Sequence, residues 1–129
     1  MCGIVGYVGK SKAKDYLLDG LETLEYRGYD SAGIVTLSNI GGATLTRATG
    51  RVEHLRRKSK DYHGQDKIGI GHTRWATHGT VTKKNTHPHY DQSKEFYVVH
   101  NGIIENHSEL RLMLASSGWS FYSETDTEV

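Results

Sequence analysis

The chain has 129 residues, of which 36% are hydrophobic and 15 others are glycine, so length and composition predict one globular domain with a modest core. No apolar run reaches about 18 residues and no basic-then-apolar signal pattern opens the chain, so we expect no membrane span and no export. Sixteen basic and fifteen acidic residues give a net charge of +1, which offers no footprint for nucleic acid.

The first half of the chain predicts a strand, a helix, a hairpin and a second helix. The apolar run CGIVGYVG, 2–9, is broken by glycines and predicts a buried strand. Ser11 is predicted to cap a helix over about 12–26. One face of this helix carries Ala13, Leu17, Leu21 and Leu24. Two β-prone runs around a glycine turn predict a hairpin over 31–49, and 51–60 predicts a short helix.

The next stretch predicts two strands separated by a polar loop. KIGIGHTR, 67–74, is typical of a strand that leads into a polar loop over 73–92. EFYVVHNG, 95–102, is rich in β-branched and aromatic residues and predicts another strand.

The last stretch predicts a helix and a short strand. Asn106 and Glu109 have the spacing of a capping box, and the helix they begin is predicted to end at Gly118. Its apolar face is predicted from Leu110, Met113 and Leu114. WSFY, 119–122, predicts a last strand. Hairpins and an excess of strands over helices indicate an α+β fold with antiparallel sheet.

The only cysteine, Cys2, directly follows Met1. Because residue 2 is small, we expect removal of Met1, which would leave the thiol and a free α-amine on one residue. Such amines have pKa values of about 7.7–8.0 and can serve as a base near neutral pH. Packing of a buried cysteine in a strand is the alternative. A single cysteine cannot form an internal disulfide, which favours the cytoplasm.

The polar stretch GHTRWATHG, 71–79, carries a candidate ligand site. Arg74 can bind a carboxylate with two parallel hydrogen bonds, and Trp75 can cover a small ligand. A polar surface turn is the alternative. In VVHNGIIEN, 98–106, Asn101 offers an amide donor and Gly102 an unshielded backbone N–H, which suits an oxyanion hole. Here the alternative is an ordinary Asn-Gly turn.

Several histidines invite a metal interpretation, namely His72, His78, His87 and His89. We predict no metal, because zinc sites usually have tighter paired spacing and often cysteines. In an extended chain, His87 and His89 would point to opposite sides.

Six ordered stretches resemble one family: MCGIVGY, LEYRGYDSAGI, HTRWATHG, HPH, VVHNGIIEN and SETDTEV. The chain resembles, over its whole length, the glutaminase domain of glutamine–fructose-6-phosphate aminotransferases (glucosamine-6-phosphate synthases), which are class II glutamine amidotransferases. This resemblance implies an N-terminal-nucleophile hydrolase fold of four αββα layers, of which 1–129 would be the N-terminal portion. It implies L-glutamine as substrate and neither cofactor nor metal.

The resemblance also implies catalytic roles. Cys2, freed of Met1, would attack the glutamine side-chain amide, and its own amine would carry the proton. Asn101 and the Gly102 N–H would hold the oxyanion, and Arg27 would orient the terminal cysteine.

The binding roles implied by the resemblance involve a second set of residues. Arg74 would hold the substrate α-carboxylate and Asp126 its α-ammonium. Thr77 and His78 would line the same pocket, and Trp75 would close it and gate the passage of ammonia.

Two alternative interpretations of the function remain open, and the chain is shorter than the domain it resembles. The related amidophosphoribosyltransferases share the fold but typically differ from Tyr26-Arg27-Gly28-Tyr29 and Trp75-Ala76, and a catalytically inactive glutamine-binding or structural fragment is a second alternative. The family's domain continues beyond TDTEV into a sugar-isomerase domain that binds fructose 6-phosphate, which is absent here. We therefore expect the chain to be a truncated domain with exposed apolar faces, which either forms a homodimer or is inactive.

Overall fold

The computed structural model describes residues 1–76 and 79–129. Its strands are β1 (Gly3–Val8), β2 (Ser31–Leu37), β3 (Ala43–Thr49), β4 (Ile68–Arg74), β5 (His89–Tyr90) and β6 (Tyr97–Val98). Its α-helices are α1 (Ala13–Leu24), α2 (Val52–Lys58) and α3 (His107–Ser116), and short 3₁₀ turns occupy Glu25–Arg27, Lys83–Asn85 and Asp126–Glu128. The predicted α+β class with antiparallel sheet is confirmed.

The first four strands form one antiparallel sheet in the order β1-β4-β2-β3. Gly3 at the start of β1 lies opposite Thr73 near the end of β4, and Ser31 of β2 lies opposite Arg74. This register places the start of the chain beside the polar stretch that follows β4. β5 and β6 pair separately as a small antiparallel sheet.

The main core lies between one face of the large sheet and helices α1 and α2. Its buried apolar residues are Ala13, Leu17, Leu18, Leu21, Ala32, Ile34, Ala48, Val52 and Leu55. The predicted α1 stripe therefore faces the core, although Leu24 at its end is only half-buried. Gly69 and Gly71 bring β4 close to α1, since a Cβ on Gly69 would lie 2.7 Å from Leu17 Cδ1. Burial of these side chains is the principal stabilisation of the fold.

The opposite face of the sheet carries His72 and Arg74 of β4, and at that end it is covered by the chain that follows. His72 lies opposite Gly33 in the β2–β4 ladder. At Gly33 the His87 carbonyl comes so close that a Cβ would overlap it. The loop before β5 is thus packed directly on β2.

The beginning of α1 differs from the prediction. The helix starts at Ala13, its flanking residue is Lys12, and no side chain caps it. Ser11 instead donates its backbone N–H to the Tyr7 hydroxyl at 2.8 Å. The cap assignment to Ser11 was wrong because the β1–α1 connection fixes Ser11 before the helix begins.

Helix α3 confirms the predicted position but not the predicted cap. Asn106 flanks the start of the helix, but its side chain makes no capping bond. Its backbone carbonyl accepts the Leu110 N–H at 3.0 Å, as in the first turn of a helix. Gly118, at φ +95°, follows the helix and donates to Ala115 O, as expected of a left-handed glycine terminus. Met113 is 56% exposed, so the predicted apolar face was wrong at that residue.

The last predicted strand is absent from the described part of the chain, and the one before it is short. Residues 119–122 are irregular because side chains take their backbone groups: Ser120 N donates to Gln92 Oε1 and Tyr122 N to Glu128 Oε1. Of the predicted strand 95–102 only Tyr97–Val98 forms, since its partner β5 has two residues.

None of the helices in residues 1–76 and 79–129 combines the length and the apolar character needed to cross a membrane.

Candidate active site

A cleft of about 480 Å³ opens where β1 begins and β4 ends. Seven of the nine predicted site residues line it, namely Cys2, Arg27, Arg74, Trp75, Asn101, Gly102 and Asp126. The other two, Thr77 and His78, lie outside the described residues. Residues that are up to 124 positions apart in sequence, from Cys2 to Asp126, therefore share one cavity.

The Cys2 thiol is held at the end of β4. Its Sγ accepts the Trp75 backbone N–H at 3.2 Å and lies 3.6 Å from the Trp75 carbonyl, to which the thiol can donate. Met1 lines the mouth of the same cleft and is 74% exposed. While Met1 is attached, the nitrogen of Cys2 is a peptide nitrogen and cannot act as a base.

Asn101 bridges Cys2 to a buried histidine. Its Nδ2 donates to the Cys2 carbonyl at 3.2 Å, and its Oδ1 lies 2.7 Å from His72 Nε2. Burial, the largest influence, lowers the pKa of His72 to about 4, so the ring is neutral near pH 7. A neutral ring that faces an amide oxygen must carry its proton on Nε2. His72 thereby fixes which end of the Asn101 amide faces Cys2.

Gly102 lies at a position that favours glycine. A Cβ there would stand 2.8 Å from His100 Nε2, and φ is +156°. Glycine lets the His100 ring, which also lines the cleft, pack against this backbone.

The cleft contains one buried cation and one buried anion of the types that a free amino acid requires. Arg74 is 4% exposed and donates to the carbonyls of Thr80 at 3.2 Å and Gly79 at 3.4 Å. Asp126 is 7% exposed, and its Oδ2 accepts from Ile104 N at 2.7 Å. Guanidinium and carboxylate groups retain capacity for further hydrogen bonds in such contacts.

Gly28, which follows Arg27, lies close to both the start of the chain and Trp75. A Cβ on Gly28 would stand 2.7 Å from the Met1 carbonyl and 2.9 Å from Trp75 Cβ, so glycine permits this close approach. Trp75 is 49% exposed and meets Tyr29 edge-on at 6.1 Å. Arg27 Nε is buried and has no hydrogen-bond partner among the described residues.

The sequence predicted no function for three buried histidines at the cleft, of which His87 lines it. His72 and His87 stack with ring centroids 4.1 Å apart, and His87 lies 4.5 Å from His89. The chain is thus not extended here in the way that would send the rings of His87 and His89 to opposite sides. Burial is the main cause that lowers the pKa of His87 to about 2 and of His89 to about 3. The alternation of β4, which puts His72 and Arg74 on one face, was the available signal for His72.

Among residues 1–76 and 79–129, no group of three or more His, Cys, Asp or Glu side chains is arranged to hold a metal ion.

The cleft residues lie in a recognisable family domain. A family model described as a glutamine amidotransferase domain matches residues 38–129. The chain belongs to the glutamine amidotransferase family.

Curated relatives place this amidotransferase domain near one branch of the family. The chain is 53% identical over its full length to a glutamine–fructose-6-phosphate aminotransferase (isomerizing) of Synechocystis sp., of which it covers 20%. It is 54% identical, again over its full length, to the enzyme of that name from Caldanaerobacter subterraneus subsp. tengcongensis, of which it covers 21%. The chain thus spans about a fifth of the length of these relatives.

Solved structures show the same fold. A glutamine phosphoribosylpyrophosphate amidotransferase from B. subtilis, complexed with ADP and GMP, superposes with a TM-score of 0.83 at 27% identity. A structure described as the allosteric regulatory enzyme of purine biosynthesis gives 0.84 at 27%. Each comparison covers 99% of this chain and 28% of the other. The predicted N-terminal-nucleophile amidotransferase fold is confirmed, and the higher identity favours the sugar-aminotransferase branch over the phosphoribosyl branch.

Proposed function

We propose that this domain, once Met1 is removed, hydrolyses the side-chain amide of L-glutamine and releases ammonia. The observation that carries the proposal is the meeting of a thiol, an amide donor, a buried cation and a buried carboxylate in one cleft, namely Cys2, Asn101, Arg74 and Asp126. Membership of the glutamine amidotransferase family supports the same reaction.

The chemical step uses Cys2 as nucleophile and base. Its α-amine takes the thiol proton while Sγ bonds to the amide carbon, which gives a tetrahedral oxyanion. The oxyanion collapses, the C–N bond breaks, and the amine returns the proton to the departing ammonia. Water then adds to the thioester carbon, and the C–S bond breaks to release glutamate and the thiol.

The oxyanion would be held by Asn101 Nδ2 and the Gly102 N–H. Asn101 Nδ2 already points to Cys2, at 3.2 Å from its carbonyl, and His72 holds the other end of the amide. Preorganised donors of this kind avoid reorganisation when charge develops.

The rest of the substrate would be held at its two charges. We assign the α-carboxylate to Arg74 and the α-ammonium to Asp126, and we assign Thr77 and His78 to the lining of this pocket. Arg27, at the cleft wall near Met1, would orient the freed terminus. Trp75, half-exposed at the cleft, would cover the site and gate the exit of ammonia.

In a longer protein like the curated relatives, this ammonia would pass to fructose 6-phosphate in an attached sugar-isomerase domain. The identity to enzymes named glutamine–fructose-6-phosphate aminotransferase supports this proposal. We also propose a cytoplasmic location, which the single unpaired cysteine supports.

The test is intact-protein mass after incubation with a glutamine-like electrophile, diazo-oxo-norleucine. We expect one stoichiometric adduct on protein that lacks Met1, and we expect glutamine to block it. Protein that retains Met1 should give no turnover, and Cys2→Ala should lose turnover but keep glutamine affinity. Binding without turnover in the Met1-free protein would instead favour an inactive glutamine-binding module. The absence of both binding and turnover would favour a structural fragment.

A further inference from the structure

A hydrogen-bonded network joins the loop after Trp75 to the segment just before Asp126. Glu124 Oε2 accepts three hydrogen bonds, from Thr80 N at 3.1 Å, from Thr80 Oγ1 at 3.1 Å and from Asn85 Nδ2 at 2.8 Å. Asn85 returns one bond, since its Oδ1 accepts the Glu124 backbone N–H at 2.8 Å. We call these three residues, Thr80, Asn85 and Glu124, the latch.

The latch reaches Arg74 on one side. The Thr80 carbonyl accepts both from Asn85 Nδ2 at 2.9 Å and from Arg74 Nη1 at 3.2 Å. The carbonyl of Gly79 also accepts from Arg74, and Gly79 packs closely against Asn85. A Cβ there would stand 3.1 Å from Asn85 Nδ2, and its φ of +80° favours glycine. The position of the Arg74 guanidinium therefore depends on where the latch holds residues 79–80.

The latch reaches Asp126 on the other side. Thr125 stands between Glu124 and Asp126, and its hydroxyl pairs with His89 Nε2 at 2.8 Å. Its carbonyl accepts from Arg111 Nη2 at 2.8 Å. With Glu124 bound to the loop, the segment that presents the Asp126 carboxylate is held from three directions.

Asn85 is suited to a positioning role because it is buried. It is 1% exposed, so water cannot readily replace its amide if a partner is removed. The carboxylate of Glu124 is kept charged, since the hydrogen bonds from Asn85 above all, and from Thr80, lower its pKa. Hydrogen bonds to a charged acceptor are stronger than neutral ones.

We propose that Asn85 and Glu124 are positioning residues that set the separation between Arg74 and Asp126, and thereby select ligands that carry both an α-carboxylate and an α-ammonium group. The proposal rests on the proposed glutamine site. A zwitterion gains from both charged ends only when their partners stand at the matching distance, so a change in the latch should affect a two-ended ligand more than a one-ended one.

The test measures binding separately from turnover. In a Cys2→Ala background, the dissociation constants of L-glutamine and of 4-carbamoylbutanoate, which lacks the ammonium group, are measured by calorimetry. We expect Glu124→Ala to weaken glutamine about tenfold and the deaminated analogue by less than about threefold. Glu124→Gln keeps an acceptor oxygen and should stay within about threefold of the parent for glutamine. Glu53→Ala removes an exposed carboxylate that pairs with Arg57 at 3.6 Å, and it should change neither constant.

Three results would overturn the proposal: unchanged glutamine affinity in Glu124→Ala, equal weakening of both ligands, or no glutamine binding by the parent. If Glu124→Ala does not fold, Asn85→Asp replaces it, because it sets a second carboxylate against Glu124 and should give the same selective loss. Turnover by the Met1-free protein with Cys2 intact tests the proposed function independently. If the Met1-free protein hydrolyses glutamine but Glu124→Ala leaves both dissociation constants unchanged, the positioning role of the latch is refuted and the proposed function is not.

Discussion

At the scale of single residues, His72 is the side chain whose effect on the chemistry can be isolated most clearly. His72→Leu removes the donor that faces Asn101 Oδ1 at 2.7 Å, so the amide loses its fixed orientation. We expect kcat for glutamine to fall, by at most the roughly 10²–10³-fold that loss of one oxyanion donor costs. KM should change little, because His72 is not among the residues that line the cleft. Steady-state kinetics of the Met1-free protein measures both.

His72→Gln is the matched control, since its amide nitrogen can replace Nε2 as donor and should restore much of kcat. An aldehyde analogue of glutamine adds a second measurement. Its adduct with Cys2 carries the oxyanion, so His72→Leu should weaken it far more than it weakens the product glutamate. Equal weakening of both would show that the variant only disturbs packing.

Most residues of the candidate site could be predicted from the sequence, but the hydrogen bonds that hold them in place could not. Cys2 was singled out by its place behind Met1 and Arg74 by the polar stretch around it. Asp126 was named through the family resemblance, and its residue type then fitted a substrate ammonium group. His72 and Asn85 were not assigned, since an isolated histidine or asparagine in a sequence is compatible with many roles. Their partners, Asn101 and Glu124, lie 29 and 39 residues away and meet them only through the fold.

At the scale of elements, Gly33 shows how closely β2 is packed against the loop before β5. A Cβ at this position would overlap the His87 carbonyl, which is backbone and cannot turn aside. We expect Gly33→Ala to lower the free energy of unfolding by about 1–3 kcal/mol through overpacking. Gly6→Ala in β1 is the control, because nothing lies within 4 Å of its Cβ. Urea denaturation compares the two variants, and equal midpoints would contradict this close packing of Gly33 against the His87 carbonyl.

The histidine stack, formed by His72, His87 and His89 across β4, the following loop and β5, gives the fold a pH dependence. Their pKa values in the folded chain, about 4, 2 and 3, lie below the unfolded value of about 6.5. The unfolded chain therefore binds protons first, so stability is complete above about pH 6.5 and falls as the pH drops towards the folded values. Between pH 6.5 and 5 we expect a loss of about 2 kcal/mol per histidine.

Urea midpoints at pH 7 and pH 5 measure this loss. His87→Phe keeps an aromatic ring in the stack and should reduce the pH-dependent loss by about one histidine's share. His63→Gln is the control, because its exposed side chain lies outside the stack. A loss of the same size in His87→Phe and in the parent would contradict the assignment.

Elements were predictable where local pattern and tertiary packing agree. The apolar stripe of α1 and the strand-like runs of β2 and β4 match the core they build, so those elements were predicted. The strand assigned to 119–122 had the right residue types, but Glu128 and Gln92 take its backbone donors. The Asn106 capping box failed for a related reason, since spacing alone does not decide whether a side chain turns to the helix end.

At the scale of the whole molecule, one face of the large sheet is covered by helices, and the other face is covered at one end and exposed at the other. The first packs on α1 and α2. The second has two ends: the end near Cys2 is covered by residues 79–90, whereas the far end carries Val8, Ile68 and Leu37 opposite one another across β1, β4 and β2. These three, the apolar row, are 80%, 39% and 41% exposed. Phe96, beside this row, is 72% exposed.

This apolar row predicts that the 129-residue chain associates with itself, because contiguous exposed apolar surface favours burial at about 25 cal/mol per Å². Sedimentation over a range of concentrations should show a dimer or larger species. The double substitution Leu37→Thr with Ile68→Thr places a β-branched residue at both strand positions but removes apolar area, so it should weaken association about tenfold.

The matched control is Leu112→Thr with Met113→Thr on α3, where the side chains are 74% and 56% exposed but lie away from the sheet. It removes more exposed apolar area than the sheet pair does and should still leave association unchanged if the sheet face is responsible. Equal weakening by both pairs of substitutions would mean that association is unspecific. A monodisperse monomeric parent with a sharp reversible melt would contradict the prediction. Because the cleft lies at the other end of the same face, glutamine-protected labelling of Cys2 should persist in the sheet variant, which separates the surface that associates from the site that reacts.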